Sequence, residues 1–337
     1  MINSVYQLVY PRAFSVKYSD VDIENDVIVK PRYMAICHAD QRYYLGQREA
    51  SVLRKKLPMA LIHECCGEVV YDKSGSFKVG QNVVMIPNVP GNVRTGEYEN
   101  YAQGAKFLSS GFDGFMREFV AMPSDRLVAF ENVPLQTAAI CEFVSVGMHA
   151  VNRFNLCSHK YRNRIAIWGD GSLSYVVSCI LKNTYKNSKI IVIGKNKTKL
   201  SYFSFADETY LSDELPDKLQ IDHAFECVGG NGSFYAINDI VRHINPQGTA
   251  VLLGVSEEKI GINTRDILEK GLTLIGCSRS GKIDFENAVD FLKNSNFQRR
   301  LSAIIYEAGS IGSIDDIHRA FAEDAGTMFK TVFEWKL

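Results

Sequence analysis

The first part of the chain carries short apolar or alternating runs separated by glycine, lysine and aspartate, and this pattern predicts β-strands. Three such runs are VIVKPRYMAIC (27–37), ECCGEVVYD (64–72) and QNVVMIPN (81–88). Residues 87–114 are instead rich in asparagine, glycine, serine and tyrosine, which predicts a long loop.

The apolar spacing changes from residue 137 onward. TAAICEFVSVGMHAVNRF (137–154) has the period of a helix, and RIAIWGDGSLSYVVSCILKN (164–183) predicts a strand, a glycine turn and a helix. A second strand and helix are predicted at 189–206. Strands alternating with helices indicate a doubly wound parallel sheet. The further elements predicted here are strands at 221–230, 248–255 and 272–280 and helices at 233–243 and 264–270.

The tail carries two helical patterns, 285–293 and 314–323, and a closing strand, KTVFEWKL (330–337). We expect this tail to return and complete the first domain. The sequence therefore predicts an α/β protein with two domains: a mostly β domain at 1–145 and 280–337, and a doubly wound α/β domain at 146–279.

Charge and composition exclude several classes of partner. Thirty-eight Lys and Arg balance thirty-eight Asp and Glu, so neither nucleic acid nor an anionic membrane is expected as a partner. The N-terminal residues lack the pattern of a secretory signal, and no apolar run approaches the roughly 20 residues that span a bilayer. We expect a cytoplasmic protein. The eight cysteines are scattered without a CxxC pair, which predicts neither a disulfide framework nor a four-cysteine zinc site.

The turn Gly169-Asp170-Gly171-Ser172-Leu173-Ser174 lies between a predicted strand and a predicted helix. Gly169 permits a tight turn, Gly171 lets the backbone approach a pyrophosphate, and the helix that starts at Ser172 and Leu173 presents free N–H groups to it. Ser174 stands where the motif has its third glycine. The pattern predicts a dinucleotide site, which makes 146–279 a Rossmann dinucleotide-binding domain and leaves 1–145 with 280–337 as the catalytic domain. An ordinary strand-to-helix turn is the alternative.

The next strand bears on the choice of cofactor. NAD-binding sites usually end this strand with Asp or Glu, whereas this chain has Gly194 followed by Lys195 and Lys197. A carboxylate would repel a 2′-phosphate, and a glycine with two lysines favours it. We therefore predict NADP(H), with a solvated basic turn as the alternative. Cys227, which follows a predicted strand, is a further candidate for cofactor binding.

Three separate segments offer zinc-type ligands: Cys37-His38-Ala39-Asp40, His63-Glu64 and Cys141-Glu142. Their order, followed by the nucleotide turn, resembles the zinc-containing polyol branch of the medium-chain dehydrogenase/reductase family. The resemblance implies a GroES-like catalytic domain and one catalytic zinc per chain. Its ligands would be Cys37, His63 and Glu142, with Asp40 behind a ligand and Glu64 beside the metal. Taken singly, these residues could be a buried thiol, a hydrogen-bonded histidine and a charge at a helix end.

Position 39 departs from that pattern, because many relatives carry a serine or threonine hydroxyl there for proton transfer. With Ala39 in its place, Glu64, Tyr43, Tyr44 or a water molecule are the alternatives.

Longer strings are similar to one subgroup, the bacterial ribulose-5-phosphate reductases. Among them are DQRYY (40–44), GFDGFM (111–116), FECVGG (225–230) and EKGLTLIGCSRSG (269–281). The resemblance implies NADPH as the reductant and ribulose 5-phosphate as the substrate. The product, ribitol 5-phosphate, would supply CDP-ribitol for wall teichoic acid or capsule through a cytidylyltransferase partner. We also expect a homo-oligomer, a dimer or a tetramer.

A phosphosugar needs cations near the reacting carbonyl. Arg42 lies five residues after Cys37, with Tyr43 and Tyr44 beside it, and Arg279 follows the strand LTLIGCS. Arg42 could instead be a surface charge, and Arg279 could bind the cofactor. Two other functions stay open at this point: an NAD-dependent zinc dehydrogenase of an unphosphorylated sugar alcohol, and a zinc-free NADPH-binding protein of the quinone-reductase or crystallin type.

Overall fold

A computed structural model describes residues 1–24 and 26–337 of the chain. The chain divides into two compact units, Met1–Ser145 with Arg279–Leu337, and Val146–Ser278. We keep the domain limits derived from the sequence as our proposed assignment: 1–145 with 280–337 for the first domain, and 146–279 for the second. The helices and strands below follow chain order.

The N-terminal segment is mostly β-structure, with two short helices after the third strand. Its strands are β1 (Ile2–Tyr10), β2 (Ala13–Asp20), β3 (Val27–Ile36), β4 (Met59–Ala60), β5 (Glu64–Tyr71), β6 (Asn82–Met85), β7 (Asn88–Val89), β8 (Lys106–Phe107), β9 (Val120–Met122) and β10 (Leu127–Ala129). Its helices are α1 (His38–Tyr44), α2 (Ala50–Lys56), α3 (Leu135–Ala139) and α4 (Cys141–Cys157), of which α4 continues into the second unit.

The middle of the chain alternates strands with helices. Its strands are β11 (Arg164–Trp168), β12 (Lys189–Gly194), β13 (Glu208–Leu211), β14 (Ile221–Glu226), β15 (Ile244–Leu252) and β16 (Thr273–Gly276). Its helices are α5 (Ser172–Thr184), α6 (Lys197–Leu200), α7 (Gly232–His243) and α8 (Thr264–Lys270). The tail contains α9 (Lys282–Leu292), α10 (Ser295–Ser302), β17 (Ile305–Ile311), α11 (Ile314–Asp324) and β18 (Lys330–Trp335).

The strands β11 to β16 form one sheet in the order β13-β12-β11-β14-β15-β16, and every pairing in it is parallel. Both faces of its central strands are buried, which is why β11 and β12 read as continuous apolar runs rather than alternating ones. This doubly wound sheet is the predicted Rossmann fold, so the predicted α/β class is confirmed.

The first unit contains a larger sheet in the order β10-β6-β5-β3-β18-β17, with β9 also paired to β3. The closing strand β18 therefore lies between β3 and β17, antiparallel to the first and parallel to the second. A buried apolar core fills this unit; Val29, Met34, Phe115, Phe333 and Trp335 are among its members.

Several elements differ from those predicted from the sequence. The hairpin of β1 and β2 and the helices α1, α2 and α10 were not predicted, and the helix predicted through 206 ends at Leu200. The predicted helix at 137–154 is interrupted at Ile140, which ends α3. Among the described residues, no helix combines the length and the apolar character needed to cross a membrane.

Candidate metal centre and cofactor site

The end of β3 and the starts of β5 and β18 lie side by side in the larger sheet of the first unit. Ile36 ends β3 and pairs with Thr331 of β18, while Ala35 pairs with Glu64, the first residue of β5. This register places Cys37, His63 and Lys330 next to the same end of β3, although they are far apart in the sequence. The strand pairing is therefore what assembles the polar group.

Asp40 organises the segment around Cys37 and His63. One oxygen, Oδ1, accepts hydrogen bonds from the Ile62 N–H at 3.0 Å and the Ser109 hydroxyl at 2.7 Å. The other, Oδ2, accepts from the Cys37 N–H at 3.2 Å and lies 3.6 Å from His63 Nδ1. Because Asp40 faces Nδ1, Nε2 of His63 is the nitrogen left for a metal, an arrangement common in zinc sites.

Two sets of possible ligand atoms converge here, each within 4.8 Å: those of Cys37, Asp40 and His63, and those of His63, Glu64 and Glu142. His63 belongs to both sets, so the structure brings each of the other two predicted ligands close to it. Thiolate, imidazole and carboxylate are the ligand types that Zn²⁺ takes.

The electrostatics of the group fit a cation. The pKa of Glu142 is raised to about 7, chiefly by burial, because the lowering by His63 and Lys330 is partly offset by the negative charge of Glu64. Burial would lower the pKa of His63, but the charges of Asp40 and Cys37 outweigh it and raise that pKa well above its usual value. Oε2 of Glu64 is buried without a hydrogen-bond partner. Buried carboxylates thus exceed the positive groups that face them, and a divalent metal ion would neutralise the excess.

Lys330 is a member of this group that the sequence did not reveal. Its ammonium donates to Glu64 Oε1 at 2.5 Å and to the Ile36 carbonyl at 3.0 Å, and both side chains are buried. Burial would lower the pKa of Lys330, but Glu64 and Cys37 outweigh it and raise that pKa. A single lysine at the start of a strand gives no signal of this pairing, because it depends on the register of β18 against β3.

The residues after Asp40 have different environments. Tyr43 is 2% exposed, and the Tyr44 hydroxyl shares a hydrogen bond of 2.9 Å with His318 Nδ1 while its ring stacks on Phe321. Arg42 is partly exposed, and its Nε donates to the Gln47 carbonyl at 3.4 Å. The structure therefore engages Tyr44 in the packing of α1 against α11.

Arg279 belongs to the same unit as the metal ligands. Its guanidinium lies 5.0 Å from the centre of the Phe107 ring, and that ring stands edge-on to His63 at 5.3 Å. Arg279 has a left-handed backbone, with φ of 59°. Its cation is thus separated from His63 by one aromatic ring.

The second unit contains a cavity of about 740 Å³ at the carboxyl ends of its parallel strands. Of the predicted cofactor residues, Gly169, Gly171, Lys195 and Cys227 line it. Gly171 precedes the first turn of α5, which begins at Ser172 and Leu173. Gly169 has φ of 128°, and an added Cβ would lie 2.9 Å from the Cys227 carbonyl oxygen, so only glycine fits there.

The basic turn after β12 differs in detail from the prediction. Lys195 and Lys199 line the cavity, whereas Lys197 is exposed and is not among its lining residues. The space beside Gly194 is also filled: a Cβ at this position would lie 2.6 Å from Asp170 Cβ. Asp170 Oδ2 accepts the N–H groups of Lys195 and Asn196, each at 2.7 Å. The end of β12 therefore does have a carboxylate beside it, although the sequence has glycine at position 194. This carboxylate is that of Asp170, from the glycine turn after β11.

Family models match both halves of the chain. The alcohol dehydrogenase GroES-like domain matches residues 23–132, and the zinc-binding dehydrogenase model matches residues 187–294. The chain therefore belongs to the zinc-type medium-chain dehydrogenase/reductase family, as its sequence motifs indicate.

Three proteins that are similar over the full length of the chain show which dehydrogenases it resembles. A ribulose-5-phosphate reductase of Streptococcus pneumoniae is 54% identical over 340 residues, which are 100% of this chain and 98% of the relative. Ribulose-5-phosphate reductase 2 of Staphylococcus aureus is 49% identical over the full length of both chains. A crystal structure of S. aureus TarJ in complex with NADPH is 45% identical with a TM-score of 0.89, covering 100% of both chains.

Proposed function

We propose that the protein reduces D-ribulose 5-phosphate to D-ribitol 5-phosphate with NADPH at a zinc site. The observation that carries the proposal is that His63 shares one group of possible ligand atoms with Cys37 and another with Glu142, in a chain 54% identical to a ribulose-5-phosphate reductase. The intact ligand set argues against a zinc-free quinone-reductase type.

Cys37, His63 and Glu142 would hold the zinc, which when bound supplies a Lewis acid that polarises a carbonyl oxygen. Asp40 fixes the orientation of His63, and the hydrogen bonds from Ser109 and Ile62 keep Asp40 in place. Glu64 lies beside these ligands, and its Oε1 accepts a hydrogen bond from Lys330.

NADPH would occupy the cavity of the second unit and supply the hydride. Gly169 and Gly171 allow the pyrophosphate to approach the start of α5, where Ser172 and Leu173 offer N–H groups. Lys195 and Lys199 would attract the 2′-phosphate, and the TarJ structure with NADPH agrees with this choice of cofactor.

The reduction adds a hydride to C2 and a proton to its oxygen. Tyr43 is the tyrosine that we retain as a proton donor, because the hydroxyl of Tyr44 is engaged with His318. Arg42 and Arg279, one on α1 and one beside Phe107, are the predicted cations for the negatively charged substrate.

The proposal extends to the setting of the enzyme. Ribitol 5-phosphate would pass to a cytidylyltransferase in the cytoplasm, in a route to wall teichoic acid or capsule. We further propose a homo-oligomer that uses the edge strand β16 of the nucleotide sheet.

A substrate screen tests the function. Zinc-loaded protein with NADPH should reduce ribulose 5-phosphate much faster than free ribulose, xylulose or fructose, measured by loss of NADPH absorbance. Equal rates with free and phosphorylated ketoses, or faster turnover with NADH, would favour the polyol-dehydrogenase alternative instead.

A further inference from the structure

The exposed ring of Tyr235 lies beside the basic turn that follows β12. The Lys195 ammonium is 5.8 Å from the centre of this ring, which is within the range of a cation–π contact. Tyr235 belongs to the first turn of α7, and Lys195 directly follows the last residue of β12. Both residues line the cavity at the carboxyl ends of the parallel strands, so their contact forms part of its wall.

The backbone of Lys195 is held separately from its side chain. Asp170 Oδ2 accepts the Lys195 N–H at 2.7 Å, which fixes the point from which the side chain starts. The four-carbon side chain of a lysine is flexible, and ordering it on binding costs conformational entropy. A ring that holds the ammonium before a ligand arrives reduces that cost.

The wall of the cavity also contains two carboxylates, those of Asp213 and Asp239. Asp239 lies one helical turn after Tyr235 and forms an ion pair with Arg242 at 3.7 Å. A lysine that turned to a carboxylate would have its charge offset, and the site would attract a phosphate less strongly. The ring of Tyr235 is neutral, so it holds the Lys195 ammonium without cancelling its charge.

We infer that Tyr235 positions Lys195 for the 2′-phosphate of NADPH, an inference that rests on the cofactor site of the proposed function. The ring keeps the ammonium at the wall of the cavity, ready for a charged hydrogen bond to the phosphate. With NADH there is no 2′-phosphate, and the contact adds nothing to binding. The choice of cofactor, usually assigned to the end of the second strand, therefore depends on α7 as well.

The sequence pattern does not single out Tyr235. The segment GSFYAINDIVRH (232–243) has the pattern of an ordinary amphipathic helix, and its neighbour Phe234 is also aromatic and exposed. Tyr235 lines the cavity and Phe234 is not among its lining residues. The direction of the α7 face decides between the two aromatic residues, and that direction follows from the packing of the helix on the sheet.

Calorimetry with 2′,5′-ADP and 5′-AMP tests the inference, because these nucleotides differ only in the 2′-phosphate. Tyr235→Leu should weaken binding of 2′,5′-ADP about two- to fivefold, which corresponds to one exposed cation–π contact, and leave binding of 5′-AMP unchanged. Tyr235→Phe keeps the ring and should match the unmodified protein. In the zinc-loaded enzyme, Tyr235→Leu should raise the KM for NADPH by the same factor without changing kcat.

Tyr161→Leu is the matched control. Tyr161 and Tyr235 are equally exposed, at 63% each, and both belong to the second unit. Tyr161 precedes β11 and so lies at the amino ends of the strands, away from the cavity. This variant should bind both nucleotides as the unmodified protein does.

A double variant separates positioning from direct contact with the nucleotide. In Lys195→Ala, the further change Tyr235→Leu should not weaken 2′,5′-ADP binding any more, since the ring then has no ammonium to hold. An additional loss in the double variant would overturn the inference. So would unchanged 2′,5′-ADP binding in Tyr235→Leu, or an equal loss for 5′-AMP, which would show that the ring acts on the adenosine.

The same measurements separate this inference from the proposed function. If the unmodified protein binds 2′,5′-ADP more tightly than 5′-AMP but does not reduce ribulose 5-phosphate, the proposed function fails. The response of nucleotide binding to Tyr235→Leu then still decides the inference. Equal binding of the two nucleotides by the unmodified protein would overturn both the choice of NADPH and the role of Tyr235.

Discussion

The buried ion pair of Lys330 and Glu64 gives the sharpest prediction for the metal centre. Replacing Lys330 with Met keeps the length of the side chain but removes the ammonium that donates to Glu64 at 2.5 Å and to the Ile36 carbonyl. Glu64 is fully buried and lies with Glu142 and His63 in one group. The variant therefore leaves a carboxylate with no cation of its own and one backbone carbonyl without its donor.

The expected cost follows from that geometry. Removing one partner of a buried pair costs about 3–5 kcal/mol, because the other charge stays buried without compensation. A divalent metal ion beside Glu64 would supply part of the missing positive charge, so the loss should be smaller in zinc-loaded protein. Removing both charges, in Glu64→Gln with Lys330→Met, should recover more than half of the loss.

Urea unfolding of the unmodified protein, Lys330→Met and the double variant, each with and without zinc, measures these differences. The free energy of unfolding of metal-free Lys330→Met should fall by about 3–5 kcal/mol, and the double variant should lie between it and the unmodified protein. A loss below about 1 kcal/mol, the range of an exposed pair, would refute the claim that Lys330 compensates a buried charge.

Three further predictions concern the metal, the cofactor and the pH dependence of stability. Elemental analysis should find about one zinc per chain. Substituting Cys37, His63 or Glu142 with Ala should remove most of that zinc, because an open site depends on all three ligands. Full zinc content in all three variants would contradict the assignment of these ligands. Lys195→Ala should raise the KM for NADPH about tenfold and leave that for NADH nearly unchanged, while Lys197→Ala should do neither, since Lys197 does not line the cavity; equal effects of both substitutions would show that the basic turn acts as a whole. The pKa of His223 is lowered to about 4, chiefly by burial and then by the charge of His159. Nδ1 of His223 accepts the Thr249 N–H at 3.1 Å, which requires the neutral imidazole ring. The neutral folded state is favoured at pH 6.5 and above, so this residue should cost up to about 3 kcal/mol of stability as the pH falls from 6.5 to 4; His223→Gln should flatten the unfolding free energy over that interval, and an unchanged slope would refute it.

The parallel sheet could be predicted from the sequence because its strands are buried on both faces. Runs such as IAIW and KIIVIG have one physical explanation in a chain that alternates strands with helices. The hairpin of β1 and β2 could not, because β2 is largely exposed and carries no apolar run. Helices α1 and α2 have seven residues each, too few for a helical period to stand out.

The residues of the candidate site also fall into two groups, those that the sequence predicted and those that it did not. Cys37, His63 and Glu142 lie in motifs that can be recognised one at a time, and their positions in the fold bring them together. Lys330 has no motif, because its role depends on the register of β18 against β3. Lys199 replaces Lys197 at the cavity because α6 turns the chain after Asn196, and one turn of helix decides which lysine faces inward.

The carboxylate of Asp170 has a consequence for redesign of the coenzyme preference. The usual route toward NADH is to place an acidic residue at the end of the second strand, which here is Gly194. Any side chain at that position would collide with Asp170, whose Oδ2 already accepts two backbone N–H groups of the turn. Positions 170 and 194 are therefore coupled, and an acid can be accepted at 194 only after residue 170 has become small. Selection for the other coenzyme must cross an intermediate in which the turn has lost its two hydrogen bonds.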